Sequence, residues 1–238
     1  VMHPSERSRA AADASALEGR SLFAVGATVA AMPVAIVGFA VVGAVTDTGP
    51  DEFATPTAFL LYGLANLAVV SMAYAALTPD ERRAAFPFRR PTARELLAVA
   101  AAFAVGLGAY QAITRVTAAL GYEMSGLSYS LSDPATLAVV VVGPVLVGPL
   151  VEEMLYRGLL LGGLLARGWS PPAAAAGMIL VFGAIHVPFF GVAGGVFVTV
   201  WSVLPTALRL RYGDLTGASL LHVANNAFSY LVAVGLGF

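Results

Sequence analysis

Apolar runs of roughly twenty residues, the length a helix needs to cross a bilayer at about 1.5 Å per residue, recur from one end of this chain to the other. In hydrocarbon such a run has no water to satisfy its backbone groups, so it must satisfy them itself by coiling into a helix. Helices are expected near Leu22 to Val45, Ala58 to Leu77, Leu96 to Ile113, Ala135 to Leu165, Pro172 to Phe190, Val192 to Leu210 and Leu215 to Leu236. The expected fold class is all-α, a polytopic transmembrane bundle of about seven crossings. The fourth run is too long for one straight crossing. Pro144 and Pro149 each remove a backbone donor, so a kink or a break into two half-helices is expected just before Glu152. Gly143, Gly148, Gly158, Gly162 and Gly163 allow neighbouring backbones to approach. Composition agrees, with 58% hydrophobic and 11% charged residues against about 45 to 50% and about 25% in soluble domains.

Seven crossings put the termini on opposite sides, and arginines tell the sides apart. With the N-terminus cytoplasmic, the inner segments hold Arg7, Arg9, Arg20, Arg82, Arg83, Arg89, Arg90, Arg94, Arg167, Arg209 and Arg211, and the outer loops hold only Arg115. The first outer loop carries Asp47, Asp51 and Glu52 and no arginine. The expected location is the plasma membrane. Residues 1–21 read as a polar cytoplasmic tail, 22–134 as N-terminal transmembrane helices and 135–238 as the membrane domain that carries the chemistry. The first apolar run is too long for a signal-peptide core and reads as a retained anchor. The absence of cysteine excludes disulfides, thiolate ligands and a cysteine nucleophile. A net charge of -1 gives no basis for a nucleic-acid partner. Membrane lipid and a membrane-associated substrate are the expected partners.

Ionisable groups buried in hydrocarbon cost several kcal/mol each by rough estimate, so each is a functional candidate. They gather after residue 150, beginning with the run Glu152-Glu153-Met154-Leu155-Tyr156-Arg157. Successive helical residues point about 100° apart, so two adjacent carboxylates are not expected to address one spot, whereas Glu153 and Arg157, four apart, face each other. Glu153 with Arg157 reads as a structural ion pair, and Glu152 as the carboxylate left to take a proton as a general base. A second cluster, Phe182 to His186, places a ring and an imidazole on one face of the fifth helix; a third places His222 and Asn226 together on the last. Counted from the cytoplasmic ends, Glu152, His186 and His222 come at depths of roughly 20, 21 and 10 Å, so three helices can aim them into one cavity. Peptide hydrolysis needs a base for water and donors for the oxyanion. Glu152 and His186 suit the first task, His222 and Asn226 the second.

These residues resemble a known family. The run from Gly148 to Gly158, the Phe182 to His186 spacing followed by Val187-Pro188-Phe189-Phe190-Gly191, and His222 with Asn226 are similar to the motifs of the CPBP family. That family, also called Abi, holds CAAX prenyl endopeptidases of the Rce1 type and bacteriocin-processing enzymes. The resemblance covers about residues 135 to 236; the first three helices carry none of its motifs. It implies an intramembrane endopeptidase acting on a membrane-associated or lipidated substrate, by CAAX-type C-terminal processing or something like it. By position it implies that Glu152 activates water, that Glu153 and Arg157 support it, and that His186, His222 and Asn226 complete the site. Tyr156 stands where the family often has phenylalanine.

Family members are commonly labelled metalloproteases, and zinc held by Glu152, His186 and His222 is the alternative to a metal-free glutamate mechanism. That set would leave only Glu153 as a base and draw it away from Arg157. Phe182 reads as a wall of the cavity, Tyr156 as a packing residue or a donor to Glu152, Asn225 as interhelical glue, and Asp214 and Arg211 as solvated charges in a cytoplasmic turn. Other intramembrane proteases fit less well: His-Glu-x-x-His is absent, Tyr212-Gly213-Asp214 falls short of Gly-x-Gly-Asp, and Gly217-Ala218-Ser219 has His222 on its own helix. An ion- or proton-coupled transporter predicts acidic groups spread across the membrane rather than confined to one cluster. An idle scaffold or immunity protein would keep the fold without the chemistry.

Overall fold

The computed structural model describes residues 15–49, 53–124, 127 and 129–236, and among them it contains eight helices and no strand. Arg7 and Arg9 of the expected tail, and Asp51 and Glu52 of the expected outer loop, lie outside the described residues. The helices are α1 (Ser21–Thr46), α2 (Thr55–Ala76), α3 (Pro79–Ala85), α4 (Ala93–Ala119), α5 (Pro134–Ala166), α6 (Pro171–Ala184), α7 (Val187–Tyr212) and α8 (Thr216–Leu236). Six of these, all but α3 and α6, are long and apolar enough to span a bilayer. The chain is an all-α polytopic membrane protein.

Six helices reach crossing length where seven were expected, because the fifth apolar run does not form one rod to Phe190. α6 has 14 residues, about 21 Å at 1.5 Å per residue, and ends at Ala184. His186 follows in a turn, and Pro188 near the start of α7 suits a helix beginning, since its missing N–H would be unpaired there in any case. α7 then bends at Gly191, whose φ of 70° and ψ of -177° are open to glycine and strained for other residues.

Of the kink or break expected in the fourth run, a break is absent, and α5 is one long helix of 33 residues. The helix runs unbroken through both prolines, and two stretches, Val141–Val147 and Glu153–Leu160, widen to π-helical turns. The Gly148 N–H bonds the Gly143 carbonyl five residues back. In that register the next donor would be Pro149, which has none, so the Pro144 carbonyl must find a partner elsewhere. Widened turns of this kind recur at functional sites.

α5 is the axle of the bundle. A Cβ on Gly143 would lie 2.9 Å from the Leu60 Cα of α2, and one on Gly158 would lie 2.5 Å from the Ala85 carbonyl oxygen of α3, so both contacts depend on the missing side chain. Thr28 of α1 donates to the Leu155 carbonyl at 3.0 Å. Leu155, Leu159, Met178, Phe182 and Leu221 are fully buried around it. Outward-facing Leu22, Val29 and Ile36 of α1 are more than half exposed, as a lipid-facing stripe should be.

One end of the bundle is tied together at the arginine-bearing segments. Arg20 pairs with Glu81 at 3.2 Å, Thr216 donates to the Arg89 carbonyl at 2.8 Å, and the Leu215 N–H donates to the Pro87 carbonyl at 2.7 Å. α3 is closed by a capping box between Thr78 and Glu81. Two sequence expectations change here. Residues 15–20, assigned to the tail, form a 3-10 turn whose Leu17 is fully buried against Gly162. Asp214 is buried rather than solvated, because its carboxylate accepts the Thr216 N–H at 2.8 Å and starts α8. At the other end Tyr129 donates to the Tyr230 carbonyl at 2.8 Å.

Candidate active site

The widened stretch of α5 begins at Glu153, directly after Glu152. Both carboxylates are buried, and both address the same imidazole, contrary to the expectation from a regular helix. His222 resolves the geometry by having two nitrogens on different edges of its ring. Nδ1 sits 2.8 Å from Glu153 Oε1 and Nε2 sits 3.6 Å from Glu152 Oε2. The ring is wedged between side chains that diverge. Glu153 Oε1 already accepts from Arg157 and accepts here too, so Nδ1 of His222 carries a hydrogen and Nε2 is the atom presented to Glu152.

Behind this pair lies Arg157, fully buried and held on every side. It donates to Glu153 Oε1 at 3.0 Å, to the Ser202 hydroxyl, to the Ser202 carbonyl at 3.4 Å and to Thr206 Oγ1 at 3.4 Å. Its guanidinium carbon lies 4.4 Å from the centre of the Phe182 ring. The expected Glu153–Arg157 ion pair is present, four residues apart on one helix. Ser202 and Thr206, on α7, are partners that sequence reasoning missed; two hydroxyl residues four apart in an apolar run were the available signal.

His186 comes to the site from the turn between α6 and α7, not from the face of a continuous fifth helix. Its Nδ1 is 2.7 Å from the Phe182 carbonyl oxygen, an acceptor left without an intrahelical donor where α6 ends. A carbonyl only accepts, so Nδ1 carries the hydrogen and Nε2 keeps its lone pair. Phe182, fully buried, is the hub, with its ring 4.6 Å from that of His186, 6.1 Å from that of His222 and 4.8 Å from that of Tyr156. Trp201 closes the far side of His222 at 5.0 Å.

Asn226 of α8 supplies the missing partner of α5. Its Nδ2 donates to the Pro144 carbonyl at 2.8 Å, the oxygen that Pro149 cannot serve. Asn225, expected to bridge helices, instead donates to its neighbour Asn226 Oδ1 at 3.4 Å and faces the cavity.

Glu152, His186, His222 and Asn226 line one cavity of about 470 Å³. Its remaining walls are largely aromatic, with Phe59 and Tyr62 from α2, Tyr110 from α4, Phe189 and Phe190 from α7 and Tyr230 from α8. α2 and α4 therefore build the site although they carry no family motif. Tyr62 and fully buried Asn66, four residues apart in an otherwise apolar helix, were the legible sign. Among the described residues no three His, Cys, Asp or Glu side chains are grouped so as to hold a metal. Glu152, His186 and His222, the set named for zinc, all line this cavity.

No curated protein and no solved structure matches this chain. Residues 134–228 match the family model of the Rce1-like type II CAAX prenyl endopeptidases. The match begins with the first residue of α5 and takes in Glu152, Glu153, Arg157, His186, His222 and Asn226. The stretch of the chain that carries the buried carboxylates and both imidazoles of the cavity is thus the part that is similar to the Rce1-like CAAX protease family.

Proposed function

We propose that this protein is an intramembrane endopeptidase in which Glu152 activates a water molecule against a peptide bond held in the aromatic cavity. The observation that carries the reading is the meeting of Glu152, His186, His222 and Asn226 around one space, with Glu153 and Arg157 buried behind it. A water between Glu152 and the Nε2 of His186 has an acceptor for each of its hydrogens, which aims its lone pair at a substrate carbonyl. As the oxygen attacks, its proton passes to Glu152. The C–N bond then breaks and Glu152 returns that proton to the leaving amine, giving a new carboxyl terminus and a new amino terminus.

The two histidines divide the work differently from the sequence expectation. His222 serves Glu152 rather than the oxyanion. Glu152, Glu153, Arg157 and His222 sum to zero charge with one proton shared between Glu152 and His222 Nε2, so an ionised Glu152 faces an imidazolium and stays balanced without water. Asn226 spends one N–H on Pro144 and has a second to offer the developing oxyanion. We place the protein in the plasma membrane with the N-terminus cytoplasmic, on the distribution of arginines.

The test is cleavage of membrane-associated peptides by purified protein in lipid. Glu152→Gln keeps the shape and removes the base, and loss of cleavage with an unchanged melting curve is expected. Full activity in that variant would end the proposal.

A further inference from the structure

A tryptophan in a transmembrane helix brings one polar atom, an indole N–H that can only donate and that usually finds an acceptor when the ring is buried. Trp201 of α7 is 3% exposed, and among the described residues nothing accepts from its Nε1. The N–H is not sealed in, because the indole forms part of the cavity wall. Other donors of the site are engaged: His222 Nδ1 with Glu153, His186 Nδ1 with the Phe182 carbonyl and Asn226 Nδ2 with the Pro144 carbonyl.

The ring is fixed by its surroundings. It packs against His222 at 5.0 Å between ring centres, and the next residue, Ser202, holds Arg157 through its hydroxyl and its carbonyl. From α4 comes Gly106, where a Cβ would lie 3.2 Å from Trp201 Cδ1 and 3.3 Å from Nε1. The edge that bears the N–H therefore meets a residue with no side chain to cover it, and Gly106 itself lines the cavity. A donor fixed in advance and left bare is one that a bound molecule uses without reordering the protein.

We infer that Trp201 is a substrate-binding residue whose Nε1–H takes a backbone carbonyl of the peptide beside the one that is attacked, with Gly106 keeping that edge of the indole open. A peptide in an apolar cavity carries carbonyls that have left water, and each one without a donor weakens binding. Asn226 has the N–H assigned to the oxyanion. A donor to a neighbouring carbonyl is engaged in the ground state and the transition state alike, so it sets KM rather than kcat. The assignment rests on the proteolytic reading, and two readouts separate the one from the other.

The chain has two tryptophans, and Trp169→Phe, at an exposed position between α5 and α6, leaves Trp201 as the single indole. Biosynthetic replacement of that indole by benzothienylalanine keeps the bicyclic ring and exchanges the N–H for sulfur. With a fluorogenic peptide of uncharged apolar residues in liposomes, the exchange should raise KM about threefold to tenfold and leave kcat unchanged, as the loss of one neutral hydrogen bond would. Gly106→Ala, whose methyl stands against the same edge, should raise KM as well. An unchanged KM in the sulfur analogue, or a fall in kcat in its place, overturns the assignment. The second readout needs no turnover: in Trp169→Phe combined with Glu152→Gln, the indole N–H proton resonance should move downfield as the same peptide is titrated into isotope-labelled protein. Movement without cleavage by the unaltered protein would count against the protease and leave the donor standing. Cleavage with neither movement nor a change in KM would end the assignment and leave the protease standing, and the absence of both cleavage and movement would end the two together.

Discussion

A double-mutant cycle at Glu153 and Arg157 probes the buried charge cluster most directly. In Glu153→Leu the Arg157 guanidinium keeps only the Ser202 and Thr206 oxygens, none of them charged, and His222 Nδ1 loses its acceptor. Stranding a buried charge costs about 3–5 kcal/mol, and the orphaned imidazole N–H adds about 1–3 kcal/mol. Arg157→Leu strands Glu153 instead, with His222 as its remaining partner, and falls in the same range of about 3–5 kcal/mol. The double variant removes both charges and leaves the imidazole N–H as the main loss, about 1–3 kcal/mol. The double should therefore be more stable than either single, with a coupling energy of several kcal/mol. The assay is unfolding in detergent followed by tryptophan fluorescence, since Trp201 is buried against His222. Additive losses would show that the pair does not interact as described and would refute the reasoning.

Three further outcomes are expected. Gly158→Ala pushes a methyl into the Ala85 carbonyl and should cost about 1–3 kcal/mol as overpacking, whereas Gly38→Ala meets nothing within 4 Å and should be close to neutral; equal melting temperatures would refute the contact. The Thr78 N–H holds the Glu81 carboxyl below its ordinary range. A depressed folded-state value means that its contribution is present above the unfolded value and is lost as pH falls through the folded one. Protection of the α3 amides from exchange should decline on acidification in the native protein and not in Glu81→Gln; identical profiles would contradict this. Cleavage, once a peptide is in hand, should survive strong zinc chelators, and loss that added zinc restores would reopen a metal mechanism.

The bundle was legible because its runs exceed the bilayer thickness, and the ion pair because Glu153 and Arg157 stand one turn apart. The boundary at Ala184 was not. Ile185 to Phe190 is as apolar as what precedes it, and only Pro188 and Gly191 mark the turn. The response of α5 to its prolines was missed for a related reason: proline removes a donor, and whether the helix breaks or widens depends on whether a neighbour accepts the freed carbonyl. Asn226 does so from 82 residues away in sequence. The meeting of both glutamates at His222 was hidden because the 100° rule describes side-chain directions and says nothing of a ring able to bridge two of them. Charge patterns at Asp214 misled because a carboxylate capping a backbone N–H can be buried, while composition alone treats it as solvated.

The bond from Asn226 to the Pro144 carbonyl also orders events in time. α5 is made long before α8, and until the last helix arrives its backbone carries an acceptor that nothing within it can fill. Glu152 waits over the same interval for His222. A nascent chain halted anywhere before residue 222 holds the two buried carboxylates without the imidazole that both of them face in the folded protein.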